Sequence, residues 1–188
     1  MTFSVTYQAL LLVITLFWLA VRAAVWVRQK QIRVRREIAC LAVYVCIAVV
    51  VRFTFFPFSK VDGQIAPLIL DTAVMFPPRV NFMPLVYLFD YPTQREILLN
   101  LIGNTAMFVP LGIVWPTVFR ALNTPAKAIA AGFCTSLCIE ILQLPFHDRV
   151  SDIDDLILNT AGYLCGYALY LAVRSIKRTI VRTQEDPT

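Results

Sequence analysis

The sequence predicts an all-α membrane protein, a bundle of about five transmembrane helices with a proline-bearing outer loop. Three observations carry this expectation. Hydrophobic residues make up 59% of the 188 and charged residues 15%, against roughly 45–50% and about 25% in soluble domains. The mean hydropathy is +0.69. The apolar residues also gather in long runs, and a bilayer span needs about 20 of them in succession. No repeat, low-complexity tract or Ser/Gly linker divides residues 1–188, so a single membrane domain is expected.

The first run covers residues 7–27, with Arg22 near its end placed to snorkel. The second, 38–56, closes with Arg52 at its boundary. Residues 57–96 follow, interrupted by Pro77, Pro78, Pro84 and Pro92. Proline lacks an amide donor and resists helix interiors, so this is not a further span. Its apolar stretches "APLILDTAVMF" and "NFMPLVYLF" suit a segment lying on the membrane surface or capping the bundle. The third, fourth and fifth runs are 97–119, 126–144 and 156–173.

Lysine and arginine set the direction. Arg28, Lys30, Arg33, Arg35 and Arg36 lie between runs one and two. Arg120 and Lys127 flank the link between three and four, and Arg174, Lys177, Arg178 and Arg182 follow run five. Five spans put all of these on one side, which the basic excess marks as cytoplasmic. The N-terminus is then outside and the C-terminus inside the bacterial cytoplasmic (inner) membrane. The first eight residues carry no basic side chain, which suits an uncleaved anchor rather than a signal peptide. Topology and anionic lipid account for the net charge of +5, so no nucleic-acid partner is expected. Cys40, Cys46, Cys134, Cys138 and Cys165 all fall in apolar runs and read as free, buried, small hydrophobes.

Polar residues are rare inside membranes and usually serve something. Residues three and four apart share a helix face. Asn100 and Asn104 pair in this way on run three, Glu140 and Gln143 on run four, and Asp152, Asp155 and Asn159 on run five. All three rows lie at the outer ends of their runs. Residues 140–159 collect five acids, Arg149 and the single histidine, His147. Arg149 is the expected partner of Glu140, and Asn104 and Asn159 are placed to hydrogen-bond across a close contact allowed by Gly162 and Gly166. One reading is a polar pocket open to the outer leaflet. The other is a set of caps, with Asp152 starting the last helix and Asp154 and Asp155 favoured by its dipole.

At these residues the sequence resembles the VanZ-like membrane proteins of bacteria. The matching pieces are "NLIGNTAMFVPLG" (100–112), "IEILQL" (139–144) and "RVSDIDDLILNTAGYLCGY" (149–167), preceded by "NFMPL" (81–85). The resemblance covers about residues 81–170. It implies a small multi-helix inner-membrane protein, and the family namesake is associated with low-level resistance to the glycopeptide teicoplanin. It carries over Asn104, Glu140, Gln143, Arg149, Asp152, Asp155, Asn159 and Gly162 as motif positions, Asp154 adds an acid beside them, and Asn81 of "NFMPL", which looks like the family's short asparagine–proline element, joins them as a binding candidate.

Two classes of function follow. In the first, the outer pocket binds a cell-envelope amphiphile, such as a lipid-linked cell-wall precursor or a glycopeptide, in contact with membrane lipid. Arg149 would then meet phosphate or carboxylate. In the second, an intramembrane enzyme acts on a lipid or polyprenyl-linked headgroup. Its catalytic candidates are Glu140, Asp152 and Asp155, with Asp152 and Asp155 holding Mg²⁺ or Mn²⁺. A transporter is a third reading, weakened by the scarcity of charge in the inner halves of the spans. The topology has a direct check. Reporter fusions at Val34 and Arg182 should read cytoplasmic and one at Val61 external; an external signal at Val34 would overturn the assignment.

Overall fold

The computed structural model describes residues 2–56, 60–61, 63–85, 93–122 and 124–185. Five helices among them are long and apolar enough to cross a membrane: α1 (Tyr7–Gln29), α2 (Val34–Phe55), α3 (Gln94–Val118), α4 (Pro125–Gln143) and α5 (Ile153–Glu185). Local chemistry starts three of them. The hydroxyls of Thr6, Thr93 and Thr124 accept the amides of Ala9, Glu96 and Lys127, at 3.2, 3.3 and 3.4 Å. Each satisfies a donor with no partner in the first helical turn. Lys30 ends α1 in the left-handed region at φ 50°. Helix α5 runs for 33 residues, about 50 Å of helix against a hydrocarbon core of about 30 Å. The basic segment after residue 173 is therefore a continuation of the last span, because no glycine or proline interrupts it.

Short strands tie the segments at the other end of the bundle. β1 (Thr2–Val5) pairs antiparallel with β4 (Leu68–Asp71), β2 (Lys60–Val61) with β3 (Gln64–Ile65), and β5 (Val80–Asn81) runs parallel to β6 (Ser151–Asp152). The Asp71 amide reaches the Pro145 carbonyl at 2.8 Å and the His147 amide the Ile69 carbonyl at 2.9 Å. Arg79 donates to the carbonyls of Phe146 and His147. The described part of the proline-bearing segment thus caps the α4–α5 link. The stretch 86–92, with Pro92, lies outside the described residues, as do 57–59. The strands were not legible beforehand because each is two to four residues long, and four of the six pair with a distant segment.

The core lies between α3 and α5. Met107, Phe108, Leu111, Tyr163 and Tyr167 are buried there. Glycine permits the approach: Gly162 faces the Thr105 carbonyl, Gly166 the Val109 carbonyl and Gly112 the Tyr163 carbonyl, each too close for a Cβ. Gly132 of α4 lies against the Tyr163 ring. Association of helices in lipid rests on such close packing, since lipid tails are as apolar as leucine.

Helix α1 attaches to α2 by polar contacts. Arg22 does not snorkel: its guanidinium forks onto Glu37 at 2.9 and 2.5 Å and is only 6% exposed. The acid one helix away offers a charge-assisted partner that makes reaching for the interface unnecessary. Thr15 and Tyr44 share a hydrogen bond of 2.6 Å. The cysteines are free, but only Cys40 is buried; Cys134, Cys138 and Cys165 are exposed within the spans. A lipid-facing surface accepts a thiol as readily as a core does.

The glycine contacts yield a matched pair of substitutions. Gly162→Ala drives a methyl into backbone and should lower the melting temperature, since overpacking costs about 1–3 kcal/mol. Gly103→Ala meets nothing within 4 Å and should be neutral or gain up to about 1 kcal/mol. Equal melting temperatures of the two variants in detergent would contradict this packing.

Candidate functional site

The polar rows of α3, α4 and α5 converge at the end of the bundle that carries the strands. Ser136, Glu140 and Gln143 succeed one another along one face of α4. Across the seam, Asn159 Nδ2 donates to Ser136 Oγ at 3.0 Å. Glu140 Oε2 accepts the backbone amide of Asp152 at 2.8 Å. Gln143 Nε2 donates to the Thr54 carbonyl at 2.7 Å. The Nε and Nη2 of Arg149 both donate to the Phe55 carbonyl, at 2.9 and 2.6 Å. Thr54 and Phe55 belong to the last turn of α2, where carbonyls have no partner in their own helix. Gln143 and Arg149 complete that end.

The start of α5 is held equally closely. Asp152 Oδ1 accepts the Asp154 amide at 2.9 Å and Asn81 Nδ2 at 3.1 Å. Asn81 Oδ1 in turn accepts the Met83 amide at 3.0 Å, and Asp154 Oδ1 accepts the Leu85 amide at 2.8 Å. Asp155 accepts from Asn104, whose amide also reaches Asn100 Oδ1 at 3.3 Å.

Two sequence-based pairings are corrected. No direct Glu140–Arg149 ion pair forms, because the Phe55 carbonyl takes the Arg149 fork and Glu140 turns to the α5 amide. Asn104 bonds Asp155 rather than Asn159, which lies one turn further along and faces α4. Asp152 does cap the last helix. His147 pairs with Asp148 at 2.9 Å on the exposed surface and meets no other member of the rows. Ser136 was passed over, although it stands four residues before Glu140 on the same face. The Thr54 and Phe55 carbonyls are main-chain groups that no side-chain pattern announces.

Burial sets the character of the cluster. Glu140 is 4% exposed and Asn159 1%, and Gln143 and Asp154 are also buried. Glu140 Oε1, Gln143 Oε1 and Asn159 Oδ1 accept no hydrogen bond from the described residues. A buried acceptor without a donor costs about 1–3 kcal/mol. Arg149, outside the spans, has its guanidinium pulled below its ordinary value by burial, opposed by the charges of Asp155 and Asp148.

Asp152 and Asp155 do not fit as holders of Mg²⁺ or Mn²⁺. Among the described residues no group of three or more His, Cys, Asp or Glu side chains could hold a metal ion. Asp152 Oδ1 already accepts two donors, and Asp155 accepts from Asn104.

A family model described as VanZ/LLP1 matches residues 4–174, a span that takes in the first two helices as well as the polar rows. No curated protein and no solved structure matches the chain.

The geometry makes the energetic couplings of Arg149 specific. A double-mutant cycle of Arg149→Gln with Asp155→Asn should show coupling of about 0.5–3 kcal/mol in thermal or denaturant stability. The cycle with Glu140→Gln should be additive to within about 0.5 kcal/mol. The reverse ranking would restore the Glu140–Arg149 pair.

Proposed function

The chain belongs to the VanZ/LLP1 family of membrane proteins, and from that premise we propose that it binds the headgroup of a cell-envelope amphiphile at the strand-bearing end of the bundle. The orientation that goes with this reading puts that end outside the bacterial inner membrane, following the basic residues of the opposite end. The observation that carries the proposal is the row of buried acceptors without donors: Glu140 Oε1, Gln143 Oε1 and Asn159 Oδ1. Such a row calls for a ligand rich in hydroxyl, amide or amine donors. Lipid-linked cell-wall precursors, whose sugars and peptides carry all three, have that chemistry, as do glycopeptides.

The surroundings support an amphiphile over a free solute. Phe82, Met83, Leu85 and Val150 are exposed; Phe82 and Val150 adjoin Asn81 and Arg149, and the amides of Met83 and Leu85 themselves enter the polar network. Acyl or polyprenyl chain lying on these residues would keep its headgroup at the polar row. The half-buried Arg149 gives Nε and Nη2 to the Phe55 carbonyl, which leaves the donors of Nη1 for a ligand anion. Binding of a precursor in this way would alter a glycopeptide's access to it, which connects the reading to the resistance associated with the family namesake.

The test uses purified protein in phosphatidylcholine nanodiscs and a radiolabelled polyprenyl-pyrophosphate-linked cell-wall precursor. Saturable retention without conversion, the same with and without Mg²⁺, is expected. Glu140→Gln and Asp155→Asn, which keep side-chain size, should each weaken retention about tenfold, or about 1.4 kcal/mol, at unchanged helix content. Retention that never saturates, or that stays at the wild-type level in both variants, would overturn the proposal. A metal-dependent product would move the assignment to an enzyme.

A further inference from the structure

The opposite end of the bundle holds chemistry that the polar rows do not use. A cavity of about 980 Å³ opens there, lined by Arg33, Arg35 and Arg36 at the start of α2 and by Thr117, Phe119 and Ala121 at the end of α3. A second, of about 650 Å³, lies between α3 and α5. Thr117 lines both, so they flank the last turn of α3. The second cavity has walls of two kinds. Ile113, Leu169, Tyr170 and Val173 make it apolar toward the middle of the bundle. Arg174, Lys177 and Arg178, with Val181, line it further along α5. Their spacing of three, four and seven residues puts all four on one helical face.

Among the described residues these cations form few close contacts with acids, the charge of Arg36 acting on Glu37 from outside ion-pair distance. Among the described residues none of Arg33, Arg35, Arg36, Arg174, Lys177 and Arg178 makes an ion pair. Arg33 Nε reaches only Gln31 Oε1, at 3.4 Å. Glu37, the nearby acid on α2, is taken by Arg22. Setting the direction of insertion requires only that basic residues lie on the right side of the membrane. It does not require that they line cavities, nor that an apolar slot run beside them.

We propose that this end is a binding site for an anionic phospholipid, with an acyl chain in the Ile113–Leu169–Val173 slot and the headgroup phosphate against Arg174, Lys177 and Arg178. The arginines of the first cavity supply a second basic wall across Thr117. The apolar slot selects a lipid over free phosphate, which needs cations alone. The basic walls select an anionic lipid over a zwitterionic one, since basic side chains are attracted to the net negative charge of an anionic headgroup.

The experiment separates a built site from diffuse attraction by moving charge without removing it. Lys177→Ser with Ser175→Lys, and Arg178→Thr with Thr179→Arg, are combined in one variant that keeps composition, net charge and the topology signal. Wild-type and relocated proteins in non-ionic detergent micelles are titrated with phosphatidylglycerol or phosphatidylcholine, and both melting temperature and lipid retained in native mass spectra are read. Wild type should show saturable stabilisation and retain phosphatidylglycerol, and the relocated variant should bind it at least tenfold more weakly. An equal response of the two proteins would reduce the site to surface charge and overturn the proposal. So would an equal response to added phosphatidylcholine. Inorganic phosphate reproducing the stabilisation would overturn the choice of a lipid.

Discussion

Gly162 rests on the carbonyl of Thr105, with Gly166 on Val109 and Gly112 on Tyr163 repeating the contact down the α3–α5 seam. Each additional carbon there would push the two helices apart. The separation they set is what lets the short side chain of Asn104 reach Asp155, since neither an asparagine nor an aspartate can bridge a wide groove. Tyr163, buried between the same helices, then meets Gly132 and brings α4 against α5. The meeting of Ser136 with Asn159, and of Glu140 with the start of α5, depends on that second contact.

Hydrogen bonding at the strand-bearing end follows from where helices stop. The last carbonyls of α2 have no partner in their own helix and little water to turn to. Gln143 and Arg149, brought in by α4 and its link to α5, supply the donors. Asp152, Asp154 and Asn81 do the same for the amides at the start of α5 and in the loop above it. Much of the charge in residues 140–159 is therefore engaged in closing helix ends. What remains after that closure are the buried oxygens of Glu140, Gln143 and Asn159, which meet no donor among the described residues.

The two ends of the bundle are opposites in their use of charge. At the strand-bearing end Glu140, Asp154 and Arg149 are drawn inward and hydrogen-bonded, while Phe82, Met83, Leu85 and Val150 face outward. At the other end cations line two cavities without forming ion pairs among the described residues, while Arg22 and Glu37 join α1 to α2. An amphiphile and an anionic lipid would thus meet different chemistry at either end of one small bundle.

Hydropathy and spacing were enough to find the five spans, because a bilayer imposes length and apolarity on each segment independently of its neighbours. The same holds for faces: Glu140 with Gln143, and Asp152 with Asp155 and Asn159, follow from helical periodicity alone. The Gly162–Gly166 spacing likewise announced a close helix contact, and the Asp152 cap depends only on residues beside it. Pairing across helices was beyond that reach. Arg149 found a main-chain carbonyl rather than Glu140, Arg22 found Glu37 rather than the interface, and Asn104 found Asp155 one turn away from Asn159. The strands of the loop end also form between segments far apart in the chain. Local sequence determines which face of a helix is polar; which atom that face meets depends on the axial offset and rotation of the neighbouring helix, and those are set only when all five pack together.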